Sequence, residues 1–270
     1  ITADHGNDVY IYTSNIGVPG LFKAAIINGT IDADINIENI NKSIIQTRAY
    51  TSANTPEGYE VLGSWNKIGY PNYLNTEGKL ELSASLLKTI NKTLPEGGNC
   101  PTKYRQSIDF EVNDPEGRDT EVFVRFIGGT SKAANTFGYY CYKKGASKKD
   151  IENAKKYIIF PNTITMPGYN KPIALKGGES VKLHYIDENG VDKGTAFPNG
   201  VKIGWFILND AFKNGKGKDY YSTTVLNSDG RTHTAAFRIG DFIVLSFEDW
   251  NDYDYNDVKF NIYSNPIEAI

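Results

Sequence analysis

What most limits how this chain can fold is a succession of short stretches in which apolar residues recur at every second position, several of them separated by turn chemistry. Val201–Leu208 is the clearest: Val201, Ile203, Trp205 and Ile207 fall on one side of an extended chain, the period of two that marks a strand with one buried face. Similar reasoning gives strands at Ile108–Val112, Glu121–Ile127, Phe137–Tyr142, Tyr157–Phe160, Ser180–Tyr185, Ala235–Arg238, Phe242–Phe247 and Val258–Tyr263. Asp114-Pro115-Glu116-Gly117, Gly177-Gly178, Glu188-Asn189-Gly190 and Ser228-Asp229-Gly230 provide turns between several of them. Nearer the start, Thr30–Ile40 places Ile31, Ala33, Ile35 and Ile37 on one side, with Val9–Tyr12 and Ala49–Thr51 as companion strands and Glu60–Leu62 as a weaker one.

Two helices interrupt the pattern. Ser83 is the expected N-cap of the first, whose Leu86, Leu87, Ile90 and Leu94 share a face before Pro95-Glu96-Gly97-Gly98 stops it. Ser147-Lys148-Lys149-Asp150 opens the second as a capping box, with the helix running to about Tyr157. The expected class is therefore all-β with two short helices, a β-sandwich of jelly-roll type. A β-rich region with one helix over residues 1–100 should precede a sandwich domain over 101–264.

Composition agrees with this class and narrows the functions. The 18 Tyr and 13 Phe suit pleated, half-buried surfaces. A net charge of -3 without a Lys/Arg stripe argues against a nucleic-acid partner. No run of apolar residues reaches the length of a membrane-spanning helix. The opening Ile1-Thr2-Ala3-Asp4 reads as a processed start, which fits export. Cys100 and Cys141 are the two cysteines, enough for one disulfide, with a buried free thiol as the alternative for Cys141.

Between the strands Phe242–Phe247 and Val258–Tyr263 lies Glu248-Asp249-Trp250-Asn251-Asp252-Tyr253-Asp254-Tyr255-Asn256-Asp257. A hairpin-like connection would crowd Glu248, Asp249, Asp252, Asp254, Asn256 and Asp257 together. Carboxylates about 4 Å apart repel by about 1 kcal/mol per pair even in water. A hard cation that accepts several oxygen ligands relieves that, and Ca²⁺ fits better than Mg²⁺, which keeps its waters. Asp252-x-Asp254-x-Asn256 mimics the first ligands of an EF-hand, yet Asp257 stands where that loop needs Gly and Tyr263 where it needs Glu. The expected site is a β-loop calcium site with these six residues as ligands. Turn formation by Asp and Asn is the competing explanation, and it accounts for two or three of the six rather than all. Zinc is poorly served by the scattered His5, His184 and His233.

Phe247-Glu248-Asp249 followed by Asp252-x-Asp254-x-Asn256-Asp257 and an alternating strand resembles the C-terminal signature of the LruC-type domain family of exported bacterial proteins. Gly204-Trp205-Phe206, Tyr220-Tyr221-Ser222, Leu226-Asn227 and Asn135-Thr136-Phe137-Gly138-Tyr139-Tyr140 resemble upstream segments of that family, and Trp65-Asn66 to Tyr73-Leu74 and Leu94-Pro95-Glu96-Gly97 its leader. The resemblance implies a β-sandwich, calcium in the acidic loop, a place outside the cytoplasm, and no established catalysis. This chain departs from the pattern at Cys141 and at Trp250, where Leu is commoner. Trp250 is expected to fill the same buried place; exposed, it would be a stacking platform beside the ion.

The expected function is a non-catalytic calcium-binding module, structural or adhesive, of a protein that is secreted or held at the outer cell surface, with or without a lipid anchor. Its partner would be a surface glycan or a protein. A calcium-assisted carbohydrate-binding module is the alternative, and a glycan-processing enzyme the second; the latter needs two carboxylates with separated roles across a cleft, whereas these are more naturally metal ligands.

Overall fold

The computed structural model describes residues 55–270 apart from 67, 76–77 and 167–172, together with the backbone of four strands before residue 55. The chain divides into two compact units, residues 1–53 with 64–67, and residues 54–63 with 68–270. In the first, β1 (Asp8–Thr13), β2 (Gly20–Ile27), β3 (Thr30–Asp32) and β4 (Ile45–Ala49) form an antiparallel sheet in the order β3-β2-β1-β4. The stretch expected as a strand over Thr30–Ile40 is described only through Asp32, and Tyr50 and Thr51 also lie outside the described residues. β2 was not legible in the alternation.

The second unit is a β-sandwich of two sheets. One has the order β10-β7-β15-β14-β13, formed by β7 (Glu121–Gly128), β10 (Ser180–Lys182), β13 (Thr234–Ile239), β14 (Phe242–Phe247) and β15 (Val258–Asn265). The other has the order β12-β11-β8-β9-β5, from β5 (Tyr59–Val61), β8 (Thr136–Lys143), β9 (Lys156–Phe160), β11 (Val201–Leu208) and β12 (Asp219–Tyr221); β6 (Phe110–Glu111) also pairs with β11. Pairing within the unit is antiparallel except between β5 and β9.

Alternation decides which side chains meet between the sheets. Val122, Val124 and Phe126 of β7, with Phe260 and Ile262 of β15, pack against Phe137 and Tyr139 of β8 and Val201, Ile203, Trp205 and Ile207 of β11. The Phe137 ring stacks on Phe260 across the sandwich at 3.6 Å and on Trp205 of the neighbouring strand at 5.9 Å. The inward placement of Trp205 read from the sequence holds. Gly138 and Gly204 are demanded by the outer face of this sheet, because a Cβ would lie 2.3 Å from the Phe206 ring at the first and 2.3 Å from the Tyr140 ring at the second.

α1 (Ala84–Thr93) covers the outer face of the five-stranded sheet. Its N-cap is Ser83, whose hydroxyl accepts from the Leu86 N–H, as expected. Ile90 and Leu94 are buried against Ile127, Ala235, Phe237, Val244 and Tyr255. α2 (Lys148–Asn153) has the expected capping box between Ser147 and Asp150, but it ends before Tyr157 because Lys156–Phe160 is claimed by pairing with β8. A third short helix, α3 (Ala211–Asn214), lies between left-handed Asp210 and Gly215. Cys100 and Cys141 are both free and buried, the first beneath α1 and the second between the sheets. No described helix is long and apolar enough to cross a membrane.

Candidate metal centre

The acidic loop is the connection between β14 and β15, and their register places its ends. Phe247 pairs with Val258, so Glu248 and Asp257 are the next residues outward and flank the mouth of the hairpin. Asp252 comes back to the same place from the tip. Glu248, Asp252 and Asp257 each bring a carboxylate oxygen within 4.8 Å of the others. The Glu248 side chain is fully buried, Asp257 half-buried and Asp252 exposed, so the cluster opens to solvent on one side.

Two features hold these groups in place. The Asp257 carboxylate accepts from the Asp249 N–H at 2.6 Å, and Glu248 accepts from the N–H groups of Trp250 at 3.1 Å and Tyr255 at 3.2 Å. Tyr253 and Tyr255 lie in the left-handed region, φ 59° and 57°, a conformation that costs a non-glycine residue on the order of 1 kcal/mol or more. Tyr255 is held there from several sides. It is buried among the α1-facing residues, its hydroxyl donates to the Thr232 carbonyl at 2.8 Å, and its carbonyl accepts from the Ser246 hydroxyl.

The remaining three predicted ligands are engaged elsewhere. Asp249 accepts from the Ser131 hydroxyl and the Asn135 amide, while its carbonyl accepts from the Asn209 amide at 2.7 Å. Asp254 accepts from its near neighbour, the Asn256 N–H, at 3.2 Å, and from the distant Gly97 N–H at 2.9 Å. Asn256 accepts from the Thr130 hydroxyl. The loop is thus tied to the 130–135 segment on one side and to the turn after α1 on the other. The turn-forming explanation covers part of the acidic set, Asp254 above all, and leaves Glu248, Asp252 and Asp257 as the group that faces a common point.

Sequence reasoning missed the tethers. Ser131 and Asn209 are far away in the chain and carry no motif, and although Asn135 and Gly97 fall in segments that resemble the LruC-type family, nothing in the sequence joins them to the loop. Gly129 is a further one: a Cβ there would lie 1.9 Å from the Asp257 carbonyl oxygen, so only glycine lets this strand end close on the loop. Trp250 contradicts the expectation of burial, being 70% exposed. It sits in the connection between β14 and β15, where none of the described elements covers it.

Burial raises the Glu248 carboxyl well above the usual carboxylate range, with the nearby Asp252 charge adding to the effect. Burial does the same for Asp257, reinforced by Asp249, Glu248 and Asp252. At these spacings each like-charged pair costs roughly 3–4 kcal/mol at an effective dielectric near 20. Three convergent carboxylates, one of them buried, suit a hard, oxygen-seeking cation, which would sit between Glu248, Asp252 and Asp257. With a dication bound, the charges that repel one another in the loop would become its ligands.

A family model described as a domain of unknown function (DUF4114) matches residues 197–265, the stretch from the β11 side of the core through the acidic hairpin. No curated protein matches the chain, and no solved structure matches it.

Proposed function

We propose that this protein is a non-catalytic calcium-binding module of an exported or cell-surface bacterial protein, with a structural or adhesive role. The observation that carries the reading is the convergence of Glu248, Asp252 and Asp257 at the mouth of the β14–β15 hairpin, with Glu248 buried among backbone donors. Such a constellation holds charge in a fixed place. Ca²⁺ would lock the hairpin end, and through Asp249, Asp254 and Asn256 the segments tied to it. The resemblance of the loop and its upstream strands to the LruC-type domain family supports export. Outside the cell, Ca²⁺ is abundant enough to fill even a site with a Kd of about 10⁻⁴–10⁻³ M. The test is thermal unfolding with and without chelator: EDTA should lower the melting temperature and Ca²⁺ restore it, and identical curves would refute the reading.

One observation favours a second reading, a calcium-assisted carbohydrate-binding module. Trp250 is 70% exposed, and its backbone N–H donates to the Glu248 carboxylate. A sugar could complete the ion's coordination through its hydroxyls while its apolar face rests on the indole. A glycan array read with and without Ca²⁺ tests this, since binding must need both the ion and Trp250.

A further inference from the structure

Lys259 has the placement least expected of a lysine. It follows Val258 on β15 and points away from the core between the sheets, where alternation alone would leave it in water. Because α1 covers that face, only 4% of it is exposed. An ammonium has three N–H donors. One reaches the Asn256 carbonyl at 3.3 Å, and among the described residues no carboxylate lies within ion-pair distance. Asp254, Glu96 and Asp257 act on it from farther away. A buried charge so sparsely bonded is costly unless something else meets it.

What adjoins it is space. Lys259 lines a cleft of about 280 Å³ between α1 and the end of β7, walled by Leu87, Leu94 and Ile127, with Asn91 and Glu96 at its exposed rim. The Glu96 carboxylate makes no hydrogen bond or ion pair with the described residues. We infer that this cleft is a binding site for a small zwitterionic carboxylate of the α-amino-acid class. Its carboxylate would take the two remaining donors of Lys259, its ammonium would face Glu96, and an aliphatic side chain would lie on Leu87, Leu94 and Ile127. A phosphate would bring a second negative charge towards Glu96, Asp254 and Asp257 without compensation, and among the described residues no aromatic side chain lines the cleft for a sugar. Its volume is that of roughly nine liquid waters, enough for an amino acid of leucine's size. The site lies behind the acidic loop and does not require an ion there.

The test is titration of the full chain with L-leucine, followed by backbone amide NMR shifts. Saturable shifts confined to Ile127–Thr130, the C-terminal turn of α1 and Lys259 are expected, with a Kd on the order of 1 mM, and leucinol, which lacks the carboxylate, should bind at least about tenfold more weakly. Lys259→Met should abolish the shifts. Leu87→Trp, a change on the half-buried helix surface that fills the cleft, should abolish them too in a chain whose melting remains cooperative. Absence of saturable shifts up to about 50 mM, equal binding of leucinol, shifts scattered over the surface, or undiminished binding in a folded Leu87→Trp chain would each overturn the inference.

Discussion

Glu248 and Asp257 face one another immediately beyond the last paired residues of the β14–β15 hairpin, Phe247 and Val258, and together with Asp252 they bring carboxylate oxygens within 4.8 Å. The pairing that closes the sandwich core therefore also forces like charges together. A cation bound there would relieve that repulsion, and the stability of the domain would then depend on what fills the loop.

The first consequence is an inverted pH dependence in the absence of metal. Glu248 and Asp257 both have carboxyls raised by burial and by neighbouring acids. For a carboxyl whose folded value exceeds its unfolded one, the folded chain binds the proton more tightly, so the stabilising contribution is complete below the unfolded value, about pH 4, and is lost as pH rises through the folded value. In EDTA the melting temperature should fall from mildly acidic pH towards pH 8, and saturating Ca²⁺ should remove most of that fall. Calorimetry across this range checks it; a rise in stability with pH in EDTA would contradict the assigned shifts.

Neutralising one member of the trio separates repulsion from ligation. Asp257→Asn keeps an oxygen to accept from the Asp249 N–H but removes a charge. In chelator it should be more stable than the unchanged protein by about 1–3 kcal/mol at pH 8, while its response to Ca²⁺ should be largely gone. Chemical denaturation with and without Ca²⁺ reads both effects, and a variant that is weaker in chelator yet still responds to Ca²⁺ would show that Asp257 is no ligand.

Asp254 should behave differently from Asp257 although both belong to the acidic set. Its carboxylate fastens the Gly97 N–H beyond α1 and the Asn256 N–H within the loop. Asp254→Ala leaves those donors without partners, at a cost of about 1–3 kcal/mol. The loss should be of similar size with and without Ca²⁺. A loss seen only in the presence of Ca²⁺ would make Asp254 a ligand instead.

Gly129 is predicted to be irreplaceable. A Cβ there would meet the Asp257 carbonyl oxygen at 1.9 Å, so Gly129→Ala must push β7 and the loop apart. A destabilisation of about 1–3 kcal/mol is expected, together with weaker Ca²⁺ binding because Asp257 moves. Trp250→Ala is the contrasting change. With 70% of the residue exposed, its effect on stability should stay within about 0.5 kcal/mol, while any calcium-dependent glycan binding should disappear. Melting curves and array binding on the two variants check both expectations.

Much of the sandwich was legible because period-two patterning is a local signal. Val201, Ile203, Trp205 and Ile207 announce the inward face of β11, and Ser83 and Ser147 announce the starts of α1 and α2 by capping chemistry alone. Elements too short to show a period, such as β12 and α3, were not legible. Nor were positions fixed by distant partners. Asp249 and Asp254 look alike in sequence to Asp252 and Asp257, and only the approach of Ser131, Asn135 and Gly97 tells tether from candidate ligand. Lys259 obeys the strand alternation yet ends up buried, because α1, more than 160 residues earlier in the chain, covers that face.

The most direct measurement is calorimetric titration of the full chain with Ca²⁺ at pH 7.5, paired with thermal unfolding of the same samples. At about 10–100 times Kd, binding should add about 1.5–3 kcal/mol to stability, a rise of several degrees in melting temperature. Both the heat of binding and the rise should be absent in the Asp257→Asn chain. If no heat and no rise are found with the unchanged protein, or if Asp257→Asn binds Ca²⁺ as well as the parent, the loop is not a calcium site built on Glu248, Asp252 and Asp257.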